Sequence, residues 1–151
     1  MKLAIGCDHG GFQLKEAIKK HLEQKNIEVE DYGTYSKDSV NFPVYATKVG
    51  HAVTSGTSDL GILCCGTGIG MSIAANKIDG VRAAVVSDTF SAQATREHNN
   101  SNVLCLGERV VGEGLALLIV DTWLNAGFQG GRHQERIDQV TEIEKRRTIS
   151  I

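Results

Sequence analysis

LGILCCGTGIG, residues 60–70, is an apolar run that stops abruptly in a glycine-rich turn and is followed by residues able to continue as a helix. The run 60–64 has the length and composition of a strand buried on both faces. Alternation along it sends the side chains of Cys64 and Cys65 to opposite faces. A strand that empties through Gly66, Thr67, Gly68, Ile69 and Gly70 into a helix brings successive backbone N–H groups and the positive end of a helix dipole to one point. Such a nest stabilises an anion, either a phosphate or the oxyanion that develops when a proton leaves the carbon beside a carbonyl. A glycine-rich turn that merely closes strand to helix is the plainer alternative.

The same grammar repeats on either side. Further strands are expected at 3–7, 27–29, 81–86 and 103–106. Between them lie helical stretches at 12–22, 43–53, 69–77, 91–97 and 113–125, with a last amphipathic helix at 134–147. In the first helix Phe12, Leu14, Ala17, Ile18 and Leu22 form the inner face, with Lys15, Glu16, Lys19 and Lys20 expected outside. Strands alternating with helices imply parallel pairing with crossovers, hence three layers with the sheet in the middle. The fold class is α/β, a Rossmann-like (flavodoxin-like) arrangement with a five-stranded parallel sheet covered by helices on both faces. A length of 151 residues suits one domain over 1–151. Ligands of such sheets bind at the carboxyl ends of the strands.

Composition excludes several classes of function. Lys and Arg total 16 against 18 Asp and Glu, a formal net charge of -2, so no field gathers nucleic acid or anionic lipid. The longest apolar stretch, 115–120, is cut by Asp121 and falls far short of the roughly 20 residues that span a bilayer. Cys7, Cys64, Cys65 and Cys105 show no C-x-x-C spacing, and Asp8 and His9 stand where a signal peptide needs an apolar run. The chain reads as cytoplasmic with reduced thiols.

Several polar residues fall where chemistry is possible. Cys65 ends its strand at a helix entrance, where a dipole lowers a thiol pKa and suits a base or nucleophile; Cys7, Cys64 and Cys105 read as core. Asp8 and His9 follow the first strand and so share an edge with Cys65, although Asp8 also suits a helix N-cap. His98, before Asn99 and Asn100, closes a helix, where a histidine also serves as a dipole partner. Arg132 and Arg136 share one face at the start of the last helix, where cations oppose the dipole unless an anion sits between them. Two solvated surface arginines are the alternative, and the mixed charges of 144–147 read as solvated. His21 and His51 lie within helices and receive no role.

Taken together, GCDHGG at 6–11, CGTGIG at 65–70 with SIAANK at 72–77, REHN at 96–99 and GGRHQER at 130–136 resemble the type B ribose-5-phosphate isomerases, in the same order and over nearly the whole chain. The resemblance implies an aldose–ketose isomerase without metal or redox cofactor. Cys65 would move the proton between C1 and C2, with the amides of Gly66, Gly68, Ile69 and Gly70 as the enediolate hole. Asp8 would handle the substrate hydroxyls, His98 and Thr67 would serve ring opening, and Asn99 would orient the sugar. His9, Arg109, Arg132 and Arg136 would hold the phosphate. The resemblance also implies a homodimer or homotetramer in which His98, Asn99 and Arg109 come from a neighbouring subunit. Phe42 departs from the pattern, since relatives often carry tyrosine there.

Two other readings compete. Related chains isomerise six-carbon phosphates such as allose 6-phosphate or galactose 6-phosphate, but the latter alter the His-Asn and Gly-Gly-Arg motifs that are intact here. A flavodoxin-like module holding a nucleotide or flavin in the glycine loop is more remote. It leaves Cys65, His98 and the arginines unexplained, and the loop matches neither G-x-G-x-x-G ending in Gly or Ala nor a Walker sequence.

Overall fold

The computed structural model describes residues 1–146; the last helix, expected to run to residue 147, which lies outside them, ends at Glu144 in a turn at 145–146. Five strands, β1 (Lys2–Cys7), β2 (Glu28–Asp31), β3 (Leu60–Cys65), β4 (Ala83–Val85) and β5 (Val103–Gly107), pair entirely in parallel in the order β2-β1-β3-β5-β4. The first three strands follow the flavodoxin winding, whereas β5 is inserted between β3 and β4. The central strands β1, β3 and β5 are almost wholly buried and apolar, as strands covered on both faces must be.

Helices α1 (Phe12–Gln24), α4 (Thr89–Asn99) and α5 (Glu113–Asn125) close one core, into which Ile5, Cys7, Ile62, Cys64, Leu104 and Trp123 point. Helices α2 (Phe42–Thr54) and α3 (Ile69–Ala75) close the other over Ala4, Leu63, Cys65, Val103 and Cys105. The opposite orientation of Cys64 and Cys65 follows from this alternation. Helix α6 (Arg132–Glu144) leans on α4. No helix among the described residues is long and apolar enough to cross a membrane.

Three expectations need correction. Lys15 is not on the outer face of α1; it is completely buried, its ammonium 2.9 Å from both Asp31 carboxylate oxygens and 2.7 Å from the Thr34 carbonyl. It lies on the stripe of Ile18 and Leu22, and its charge finds its partner on the neighbouring strand. β2 runs two residues beyond its apolar stretch, because an edge strand tolerates Glu30 and Asp31 when Lys2, Lys15 and Lys19 neutralise them. The 81–86 strand shortens to three residues, with Val81 and Val86 still buried beyond its ends.

Candidate active site

At the carboxyl edge, Cys65 pairs in register with Gly107 at the end of β5. The turn that follows is docked by its own main chain: the Cys65 carbonyl accepts from Glu108 N–H at 2.9 Å and the Gly66 carbonyl from Arg109 N–H at 3.0 Å. Fit is tight enough to dictate glycine. A Cβ on Gly107 would stand 2.6 Å from the Thr67 backbone, and one on Gly11 would stand 2.4 Å from the Cys64 carbonyl carbon. Gly68 has φ +79°, the left-handed region that favours glycine.

This geometry folds the turn back over the sulfur. Cys65 Sγ accepts the N–H of Gly68 at 3.0 Å, and the residue is 6% exposed, at the rim of the core. Thr67 Oγ1 accepts from Ile69 N–H at 3.2 Å. Among the described residues, the N–H groups of Gly66, Thr67 and Gly70 have no acceptor, so the turn that follows the cysteine keeps three free donors. The other three cysteines are fully buried. Burial pushes the Cys7 thiol up to about 12 and holds those of Cys64 and Cys105 well above the usual thiol range, so all three stay neutral packing groups.

The same edge gathers more of the expected set. Asp8 Oδ1 accepts from Gly10 N–H at 2.8 Å, so the N-cap role is real, and a Cβ on Gly10 would lie 3.1 Å from Gly66 N and 3.3 Å from that carboxylate oxygen. His9 Nδ1 accepts the N–H of Val40 at 3.2 Å, which leaves Nε2 as the position able to donate outward. The Arg109 guanidinium lies over Gly66 of its own chain, 3.4 Å from where a Cβ would be. The Phe42 ring borders Gly70 at 3.2 Å by the same measure.

His98, Asn99, Arg132 and Arg136 are elsewhere. Helix α4 starts after the carboxyl end of β4 and finishes with three residues left before the amino end of β5 at Val103, so His98 and Asn99 lie at the opposite edge from Cys65. The five residues of β5 separate the two edges by about 13 Å of strand rise. Arg132 and Arg136, both exposed, project from the start of α6, which is tied to α4 by the Gln129 N–H to Glu97 carbonyl bond of 3.0 Å. A cavity of about 680 Å³ opens at this amino edge between Arg82, Asn99, Val140 and Ile143. It is lined by none of the residues 65–70, so cavity size is a poor guide to the chemistry here.

Sequence reasoning passed over three pairings around these groups. Glu108 Oε1 accepts from Leu14 N–H at 2.8 Å and caps α1, which has no side-chain cap of its own. Lys15 and Asp31 anchor the segment that carries Val40 to His9. His133, read only as part of a motif, stacks on His98 with ring centroids 4.5 Å apart. Each pairing joins positions distant in the chain, so no local signal announces it. Among the described residues, no group of three or more His, Cys, Asp or Glu side chains could hold a metal ion.

Comparison with known proteins is consistent across sequence and structure. The chain is 54% identical over 146 residues to ribose-5-phosphate isomerase B of Escherichia coli strain K12, covering 97% of this chain and 98% of that protein. It superposes with a TM-score of 0.96 on the Clostridium thermocellum ribose-5-phosphate isomerase B, at 55% identity over 97% of this chain and 99% of that one. The Mycoplasma genitalium ribose-5-phosphate isomerase B, solved with bound ribulose-5-phosphate, matches with a TM-score of 0.91 at 44% identity, covering 95% and 96% of the two chains. Residues 3–140 fit the Ribose/Galactose Isomerase family, and the chain belongs to it.

Proposed function

We propose that this protein interconverts D-ribose 5-phosphate and D-ribulose 5-phosphate through an enediolate, with Cys65 as the base. The observation that carries the reading is the Gly68 N–H donating to the Cys65 sulfur in a turn whose Gly66, Thr67 and Gly70 amides are unpaired. The thiolate removes the proton from C2 of the open aldose, the C2–H electron pair becomes the C1–C2 double bond, and the carbonyl pair moves onto O1. The O2 hydroxyl proton then passes to O1, the O2 electron pair forms the C2 carbonyl, and the Cys65 thiol returns its proton to C1, which completes the ketose. Charge on the enediolate oxygens is met by the loop donors, which need no reorganisation as it develops. Asp8 lies beside the substrate hydroxyls, His98 and Thr67 open the furanose ring, and Asn99 orients the sugar. Arg109, Arg132 and Arg136 with His9 bind the phosphate.

Because His98 and Asn99 lie a sheet's length from Cys65, a working site joins the carboxyl edge of one chain to the α4–α6 corner of a second copy, in a homodimer or a pair of dimers. Apolar side chains next to the glycine loop favour this. Ile69 and Ile73 on α3, Val85 at the end of β4 and Phe90 at the start of α4 are 52%, 58%, 45% and 80% exposed, an unusual concentration for a surface in water. All four cysteines are free, which fits a reducing cytoplasm.

Turnover of ribose 5-phosphate measured beside allose and galactose 6-phosphates tests the substrate; faster turnover of a six-carbon phosphate would transfer the assignment to that sugar. Mixing Cys65→Ala and His98→Ala chains tests the shared site. Hybrid dimers then contain one site with neither change, so activity should return to about a quarter of wild type, the statistical yield for a two-fold dimer. Sites complete within one chain would show no recovery.

A further inference from the structure

We propose that His133 is a positioning residue for His98: the buried imidazole on α6 is a flat platform that sets the plane of the exposed imidazole on α4. The inference rests on the reading of His98 as the ring-opening group. A general acid or base works only when its ring is held at a fixed angle, and a hydrogen bond to the second ring nitrogen usually does this. Among the described residues no hydrogen bond or ion pair holds the His98 ring. Its ring contact is the stack on His133, with centroids 4.5 Å apart and planes inclined by 13°.

The platform itself is anchored from both ends. Gly130 and Gly131, with φ of +65° and +56°, turn the chain sharply into α6, and His133 N–H donates to the Gly130 carbonyl at 3.1 Å. The Gln129 bond to the Glu97 carbonyl fastens that turn to the residue just before His98. His133 is 7% exposed, whereas His98 is open to solvent, so the inner ring is locked by packing and the outer ring is free to meet a substrate. Burial, then the charges of His98, Arg132 and Arg136, hold the His133 imidazole below its ordinary range. A neutral ring is the better platform, since a protonated His98 above it meets an aromatic face instead of a second cation.

The test is a cycle of variants assayed on ribose 5-phosphate. His133→Ala should lower kcat about ten- to a hundredfold, the scale of a misplaced catalytic group, with KM little changed. His133→Leu fills the same space without a flat ring and should be equally slow, whereas His133→Phe restores the platform and should recover most of the rate. In a His98→Ala background His133→Ala should add almost nothing. An unchanged kcat in His133→Ala, a His133→Leu variant as fast as His133→Phe, or a full further loss in the His98→Ala background would each overturn the positioning role while leaving the isomerase reading intact. Wild-type enzyme without turnover, or His98→Ala as fast as wild type, would remove that reading and this proposal with it.

Discussion

At the carboxyl edge the proposed working surface is main chain, whereas at the α4–α6 corner it is side chain. The loop after β3 offers amides whose directions follow from strand register, a left-handed Gly68 and contacts that exclude a Cβ at Gly11 and Gly107. The corner offers His98, Asn99, Arg132 and Arg136, exposed groups at the ends of two helices, with Gly130 and Gly131 standing in open space. The first region is finished by its own fold. The second stands open to solvent.

The largest effect expected from this contrast is catalytic. Cys65→Ala should reduce kcat by about 10²- to 10⁴-fold while ribose 5-phosphate still binds, since in the proposed mechanism only the base is lost. Calorimetric titration beside the kinetics separates the two, and a variant retaining most of its rate would break the contrast at its centre. Next comes the support beneath the same edge. Asp31→Ala leaves the buried Lys15 ammonium with only the part-exposed Glu16 carboxylate, 3.2 Å away, as its ion-pair partner, and should cost about 3 kcal/mol in a denaturant titration, whereas Lys15→Met with Asp31→Leu should recover much of it. At the corner, Arg136→Ala should leave stability alone and raise KM about ten- to a hundredfold, the loss of charged hydrogen bonds worth about 1.5–3 kcal/mol.

Glycine substitutions sharpen the comparison on a smaller scale. Gly107→Ala should destabilise by about 1–3 kcal/mol and displace Thr67, with a fall in kcat, because its Cβ meets backbone. Gly130→Ala meets no atom and should cost only the left-handed backbone, about 1–2 kcal/mol, without touching the carboxyl edge. Equal effects on kcat would erase the distinction. The smallest effect is on pH. The folded protein binds a proton at His133 less readily than the unfolded chain does at 6.5, so the unfolded state takes up more protons on acidification. Stability from this group is therefore intact above 6.5 and declines as the pH falls below it; His133→Phe should flatten that part of a melting-temperature profile.

Much of the carboxyl edge was legible in advance. Cys65 and Cys64 separate by simple alternation, and Asp8, His9 and the glycine loop share an edge because parallel strands end together. Lys15 was misread because α1 has charged residues at 15, 16, 19 and 20 that look alike; only the position of Asp31 on β2 distinguishes the buried one. β2 was cut short since apolar content stops at Val29 while the ladder continues. Glu108 capping α1 and His133 beneath His98 join residues 94 and 35 positions apart, beyond the reach of any local pattern.

Read alone, the amino-acid order determined that this is a parallel α/β chain, that a glycine loop follows a buried strand, and which cysteine stands last in that strand, next to the loop. Those features depend on periodicity, backbone freedom and the alternation of side chains, all of which act within a few residues. The tertiary structure decided that β5 lies between β3 and β4, that Lys15 is interior, and that His98 lies on the edge away from Cys65. Such outcomes depend on which distant segments lie side by side, and the free energy that selects them comes from buried contacts formed only once the sheet has closed.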